Sequence, residues 1–461
     1  MPRVLLIGLD SVPPRLAFER YRSALPHLDH LMRTGCYGPL RSTVPPITVP
    51  AWACMLSGYD PGQLGLYGFR NRQLGSYQLR LVTSRDLNAA ERPMLWDRLR
   101  PEQHACVMFV PPSFPPRSVQ GELVSCFLTP DAASPHTSPP ALAVELRERF
   151  GPYQPDVDEY RTDDRARLLA QLQAGTRQRF AIAEHLVRTR RPDLGVMVEV
   201  GPDRFHHAFW SHIVPEDPRH EPGNPWETAG LAYYRLLDEG VGALLRAAGD
   251  DTAVFVVSDH GVRPLYGCIH VNQWLIDRGY LVLTRQPEVL TPFSQLEVDW
   301  SRTRAFGEGG YHARIMLNVM GREPAGCVPS TQVDALCEQL ARELAELPGP
   351  RGERLAHHIA RPAACYREVR GLPPDLMVFF DDLNYRASGS VGGGVLYSAD
   401  NDTGPDACNH DWDGIFIAAG PGIPARGPLT DLNYADVAVT ALNLLGLPAT
   451  DLAGRDVRGV A

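Results

Sequence analysis

Val4-Leu5-Leu6-Ile7-Gly8-Leu9, closed by Asp10, is the stretch on which the fold turns. A near-continuous apolar run with branched side chains suits a strand covered on both faces, as in a parallel sheet flanked by helices. Two further runs have the same form. Val196-Met197-Val198-Glu199-Val200 leads into Gly201-Pro202-Asp203, with His207 four residues on, and Val254-Phe255-Val256-Val257 runs into Ser258-Asp259-His260-Gly261. In open α/β sheets, ligands gather in the crevice beyond the carboxyl ends of the strands. Three acids at three strand exits therefore point at one place. A single aspartate after a strand is ordinarily a turn or helix cap. The repetition, with histidines close behind two of the three in a chain of only 15 His, is what singles these residues out.

Working outward, apolar residues at Leu25, Leu28 and Leu31 predict an amphipathic helix over residues 23–33. Residues 48–56 predict a second helix that starts at Thr48, with Pro50 in its first turn, where a missing N–H costs nothing. A long helix is expected over 162–190 and a closing one over 436–445, before the Gly446-Leu447-Pro448 stop. Residues 111–140, rich in Pro and Ser, read as a long surface loop. The catalytic core is expected to comprise 1–261 and 401–461. Residues 262–400 then form a cap or insertion with strands at 314–319 and 376–380 and a helix at 333–344. Gly389-Ser390-Val391-Gly392-Gly393-Gly394 lacks the lysine and following helix of a phosphate loop and reads as a flexible turn near the site.

With 461 residues and 44% hydrophobic content the chain can bury a large core. A net charge of -9 argues against a nucleic-acid polymer as partner, since such proteins carry a basic face. Arg188, Arg190 and Arg191 read as the solvated end of a helix. The nine cysteines are scattered, with no Cys-x-x-Cys pair, which disfavours a disulfide framework or thiolate zinc site and favours a reducing compartment. No signal-peptide pattern and no run of 18 apolar residues occurs. A cytoplasmic protein without membrane attachment is the expectation, with the oligomeric state left open.

Asp and His side chains are ligands for divalent ions of the zinc type. Asp203 and His207 are spaced i, i+4, so a helical turn places both on one face; with His410 they complete one site. Asp10, Asp259 and His260 hold a second, with the Thr48 hydroxyl as its reactive ligand. Two ions about 3.5–4 Å apart can clamp the attacking and leaving oxygens of an in-line displacement. Alone, Thr48 would be an ordinary helix cap. Beside two ligand triplets, at a helix start that favours anions, it becomes a candidate nucleophile. Two divalent ions balance three aspartates and a threonine alkoxide, so open metal positions would attract a phosphoryl group and not a cation.

At this point the residues resemble a known family. Thr48-Val49-Pro50-Ala51-Trp52, through Ser57-Gly58-Tyr59-Asp60-Pro61 to Gly65, is similar to the nucleophile motif of the type I phosphodiesterase/nucleotide pyrophosphatase branch of the alkaline phosphatase superfamily. Asp203-x-x-x-His207, Ser258-Asp259-His260-Gly261 and His410 with Gly414-Ile415-Phe416 and Gly420-Pro421-Gly422 match its metal motifs in order. Within the superfamily the chain most resembles bacterial phosphohydrolase/phosphomutase-like proteins. The resemblance implies an alkaline-phosphatase-like α/β fold, two divalent ions (zinc expected, manganese the alternative) and hydrolysis of a small phosphorylated substrate through a phospho-threonine at Thr48. Sulfatase chemistry is disfavoured because Thr48 lies in no Cys-x-Pro-x-Arg string.

The chain departs from the nucleotide pyrophosphatases after the nucleophile, where the family places an Asn on a phosphate oxygen. Here the segment reads Tyr67-Gly68-Phe69-Arg70-Asn71-Arg72, and either Arg70 or Asn71 takes that role, or both are loop residues. Tyr311, His312 and Arg314 either line a leaving-group pocket or form a solvated glycine turn after Gly309-Gly310. His206 is expected in support of His207 or in solvent, and Asp402 and Asp406 to shape the loop before His410. A phosphomutase or phosphomonoesterase using the same ligands is the alternative activity. A non-catalytic binder is disfavoured, since no ligand is missing.

Overall fold

A computed structural model describes residues 3–399 and 403–459. Two compact units divide the chain: residues 1–64, 82–262 and 410–461 form the first, and residues 65–81 with 263–409 the second.

The first unit is built on a ten-stranded sheet. Its order is Gly427–Pro428, Cys36–Arg41, Asp413–Ala419, Thr252–Val257, Arg3–Leu9, Leu194–Glu199, Ala105–Met108, Gly121–Val124 and Thr137–Ser138, with Leu432–Asn433 also pairing Cys36–Arg41. The pairings are mostly parallel; Asp413–Ala419 runs antiparallel to both neighbours and Thr137–Ser138 to its one. The three runs read from sequence are the adjacent central strands, with Leu6 beside Val196 on one side and Phe255 on the other. Every residue of Leu194–Glu199 and Thr252–Val257 is buried, as strands covered on both faces require.

One face packs Val4, Leu6, Val196, Val198 and Phe255 against Trp52 and Met55 of helix Thr48–Met55 and Val437, Ala441 and Leu442 of helix Tyr434–Leu444. Thr48–Met55 is buried all round, which is why its sequence shows no polar face. The other face is flanked by helices Arg165–Arg190 and Ala229–Ala248, which pack on each other. Gly8 is required by a close approach: a Cβ there would stand 2.5 Å from the Trp52 ring.

The 111–140 segment differs from the expected loop. Gly121–Val124 and Thr137–Ser138 extend the sheet edge, with Leu123 beside Val107. Strands of four and two residues are too short to show periodicity between prolines.

The second unit has a four-stranded antiparallel sheet ordered Ala305–Glu308, Ala313–Leu317, Leu376–Phe379, His358–Ala360. Leu336 and Leu340 of helix Val333–Ala345 share its core with Ile315, Leu317, Leu376 and Val378. The glycine-rich segment is pinned rather than free, because Val391 and Thr291 exchange backbone hydrogen bonds at 3.0 and 2.8 Å. Asp402 lies outside the described residues; Asp406 accepts from Arg386. Among the described residues, no helix is long and apolar enough to cross a membrane.

Candidate metal centre

Three neighbouring strands deliver their acids to one end of the first unit's sheet. Asp10 follows Arg3–Leu9, and its N–H donates to Glu199 O (3.0 Å), the last residue of the adjacent strand. From there helix Gly201–Ile213 carries Asp203 and His207 on one face. On the other side, the loop after Thr252–Val257 is stitched to the first by Ser11 N–H to Asp259 Oδ1 (3.2 Å) and Val12 N–H to Ser258 Oγ (2.9 Å). His410 arrives just ahead of strand Asp413–Ala419.

All seven residues read from sequence as ligands or nucleophile meet here, and each is at most 2% exposed. Asp203 Oδ1 lies 3.4 Å from His207 Nε2 and 3.5 Å from His410 Nε2. His260 Nε2 lies 3.2 Å from Asp259 Oδ2, 3.7 Å from Asp10 Oδ1 and 3.4 Å from Thr48 Oγ1. Ligand atoms of Asp203, His207 and His410 fall within 4.8 Å of one another, and so do those of Asp10, Asp203 and His260. Sequence spacing assigned Asp203 to one triplet; in three dimensions it adjoins both.

The imidazoles are held from behind. His410 Nδ1–H donates to Pro46 O (2.7 Å) and His260 Nδ1–H to Gly261 O (2.9 Å), which turns each Nε2 inward. Backbone carbonyls in this position fix the tautomer a metal ligand needs. Their rings stack at 3.7 Å. Trp52 Nε1–H donates to Asp10 Oδ2 at 2.9 Å, a contact not read from the sequence, where Trp52 stands only as the last residue of the quoted Thr48 string. His206 is buried behind His207, with Nε2 3.1 Å from the Tyr234 hydroxyl.

The electrostatics call for cations. Burial and the Asp203 charge push Asp10 well above the usual carboxylate range, and burial and Asp10 do the same to Asp259. Burial would raise Asp203 too, but His207, His410 and Arg204 outweigh it and hold that carboxyl well below its ordinary value. Burial pushes His260 and His410 down, and His206 down to about 3. Among the described residues, Asp10 Oδ1 and Asp259 Oδ2 are buried and accept no hydrogen bond. Leaving a buried acceptor unsatisfied costs about 1–3 kcal/mol, and more for a charged group. Divalent ions between these oxygens and the imidazoles meet that demand, so the residues present fit a two-ion centre.

The model of the type I phosphodiesterase / nucleotide pyrophosphatase family matches residues 4–406. The chain belongs to this family. Type I phosphodiesterases and nucleotide pyrophosphatases are metal-dependent phosphoric ester hydrolases, and the matched stretch contains every candidate ligand but His410, which lies four residues beyond it. Solved structures show the same alkaline-phosphatase-like fold. Murine ectonucleotide pyrophosphatase/phosphodiesterase 5 is 14% identical with a TM-score of 0.60, covering 99% of each chain. An inactive threonine-to-alanine variant of that protein in complex with AMP gives 0.57 at 14% identity, over 99% of this chain and 98% of that one. Phosphonoacetate hydrolase from Sinorhizobium meliloti 1021 in complex with phosphonoformate is 15% identical with a TM-score of 0.60, covering 96% of each. No curated protein sequence matches the chain.

The four residues read as substrate contacts all belong to the second unit. Asn71 is spent on its own turn, donating to Gly65 O (2.7 Å) and accepting from Tyr67 N–H (3.2 Å). Arg314 Nη1 donates to Arg70 O (2.7 Å). The exposed Arg70 side chain lines a cavity of about 800 Å³ with Tyr77, Phe293, Trp300, Glu308 and Arg386. Tyr311 is buried under the Arg386 guanidinium, 4.8 Å from its ring centroid.

Proposed function

We propose that this chain hydrolyses a small phosphoester at a two-zinc centre, with Thr48 as nucleophile. Asp203, His207 and His410 would hold one ion and Asp10, Asp259 and His260 the other. Such a pair supplies positive charge that stabilises the attacking and leaving oxygens. The observation that carries the reading is the 3.4 Å between Thr48 Oγ1 and His260 Nε2, at the first residue of a buried helix.

The chain's own residues do the rest. Helix Thr48–Met55 presents Thr48 at its N-terminus, where free N–H groups and the dipole favour phosphoryl oxygens. Thr48 Oγ1 forms a bond to phosphorus as the bond to the leaving oxygen breaks, and the hydroxyl proton lost by Thr48 is matched by one that the leaving oxygen takes from solvent. Water then attacks the phospho-threonine, its oxygen bonding to phosphorus as the Oγ1–phosphorus bond breaks, and a proton from that water restores the Thr48 hydroxyl. Ligands named with neighbouring structures, AMP and phosphonates, support a small phosphorus-bearing substrate. A reducing, cytoplasmic setting is supported by nine cysteines, none of them in a disulfide among the described residues.

Turnover of bis-p-nitrophenyl phosphate and p-nitrophenyl phosphate, measured on the parent and on Thr48→Ala with metal content determined in parallel, tests this. The variant is expected to lose turnover and keep its metal. Turnover retained by Thr48→Ala would show that the nucleophile is misassigned.

A further inference from the structure

Arg204 follows the candidate ligand Asp203 on helix Gly201–Ile213 and is only 6% exposed. One edge meets the metal centre: Nη1 donates to Asp203 Oδ2 at 2.6 Å, while Oδ1 of the same carboxylate faces His207 and His410. The opposite edge donates to Asp156, from Nε at 3.1 Å and Nη2 at 2.8 Å, in the irregular segment between helices Ala141–Phe150 and Arg165–Arg190. The rings of Tyr160 and Phe127 lie against the cation, their centroids 4.6 and 5.0 Å from its central carbon. The Tyr160 ring also stands 6.0 Å from that of His207.

A guanidinium held at both edges and packed against two aromatic rings cannot swing as a surface pair does. Asp203 is the carboxylate that adjoins both ligand triplets, so its rotation decides which oxygen the ions see. Arg204 occupies Oδ2 and leaves Oδ1 turned toward the histidines.

We propose that Arg204, braced by Asp156, Tyr160 and Phe127, is a positioning residue for the ion held by Asp203, His207 and His410. It fixes the rotamer of Asp203 and places one positive charge behind a cluster of three aspartates. This rests on the two-ion reading above. Loss of Arg204 therefore weakens the ion held by Asp203, His207 and His410 more than the ion held by Asp10, Asp259 and His260. Lysine keeps the charge but cannot donate from two edges at once, so it restores only part. Hydrogen-bond partners of metal ligands commonly contribute about 10–100-fold in metal affinity.

Zn²⁺ binding to the metal-stripped full chain, followed by titration calorimetry, and Co²⁺ loading, followed by visible absorption, test the assignment on the parent, Arg204→Gln, Arg204→Lys and Asp156→Asn. Arg204→Gln is expected to bind the ion of the Asp203, His207 and His410 triplet roughly 10–100-fold more weakly, with a smaller change in the other ion and the Co²⁺ spectrum altered. Arg204→Lys is expected to fall between it and the parent, and Asp156→Asn to weaken the same ion by less. If Arg204→Gln does not fold, the other two variants carry the comparison. Folded variants that all bind both ions as the parent does would overturn the proposal and leave the two-ion reading intact. A parent that binds no ion would overturn both.

Discussion

Trp52 Nε1–H donates to Asp10 Oδ2 at 2.9 Å, and Gly8, two residues before Asp10, leaves room for the indole that makes this contact. One buried helix thus supplies both the candidate nucleophile, Thr48, and the donor that orients a candidate ligand. Gly8→Ala would place a methyl group 2.5 Å from the Trp52 ring. Overpacking of this kind costs about 1–3 kcal/mol. Chemical denaturation should show that loss together with reduced metal affinity. Unchanged stability would mean the indole is not held against the strand.

His410→Ala removes a ligand from the Asp203 triplet and leaves Asp10, Asp259 and His260 in place. Metal analysis after dialysis should fall by one ion per chain. Unchanged stoichiometry would remove His410 from the ligand set.

Beneath the site, Arg179 and Glu199 form a buried two-pronged pair, Nε to Oε2 at 2.8 Å and Nη2 to Oε1 at 2.7 Å. Glu199 also accepts from Thr176 Oγ1–H and Gly201 N–H, so it fixes the start of the helix that carries Asp203 and His207. Arg179→Met strands a buried carboxylate, a change that costs about 3–5 kcal/mol. Denaturant unfolding checks this, and a loss below 1 kcal/mol would contradict it.

Asp451 accepts from Arg98 Nη2 and the Tyr59 hydroxyl, both at 2.6 Å. The Arg98 hydrogen bond, aided by Tyr59 and against a smaller effect of burial, holds the carboxyl down at about 2, below its ordinary 3.8. A carboxyl depressed in the folded state stabilises fully above its unfolded value and loses that contribution as pH falls through the folded one. The melting-temperature gap between the parent and Asp451→Asn should therefore be constant above about pH 5 and close between about pH 4 and pH 2. A gap that persists at pH 2 would exclude the pair as its source.

The central strands were legible because burial on both faces forces an unbroken apolar run, and Asp10, Asp203 and Asp259 because each lies just past such a run. Thr48–Met55 was legible from its proline and its threonine start. Gly121–Val124 was not, since a strand of four residues between prolines carries no readable period. The contribution of Trp52 and Arg204 was hidden for a different reason. A hydrogen bond from an indole to a carboxylate 42 positions away leaves no local pattern, and Arg204 reads as an ordinary helix arginine until Asp156 and two aromatic rings are brought around it.

At the centre of the proposal, six side chains gather two ions beside one hydroxyl, that of Thr48. A crystal structure of the zinc-loaded chain with anomalous data at the zinc edge tests this directly. Two peaks are expected, one among Asp203, His207 and His410 and one among Asp10, Asp259 and His260 with Thr48 beside it; zinc bound elsewhere, with this cluster empty, would contradict it.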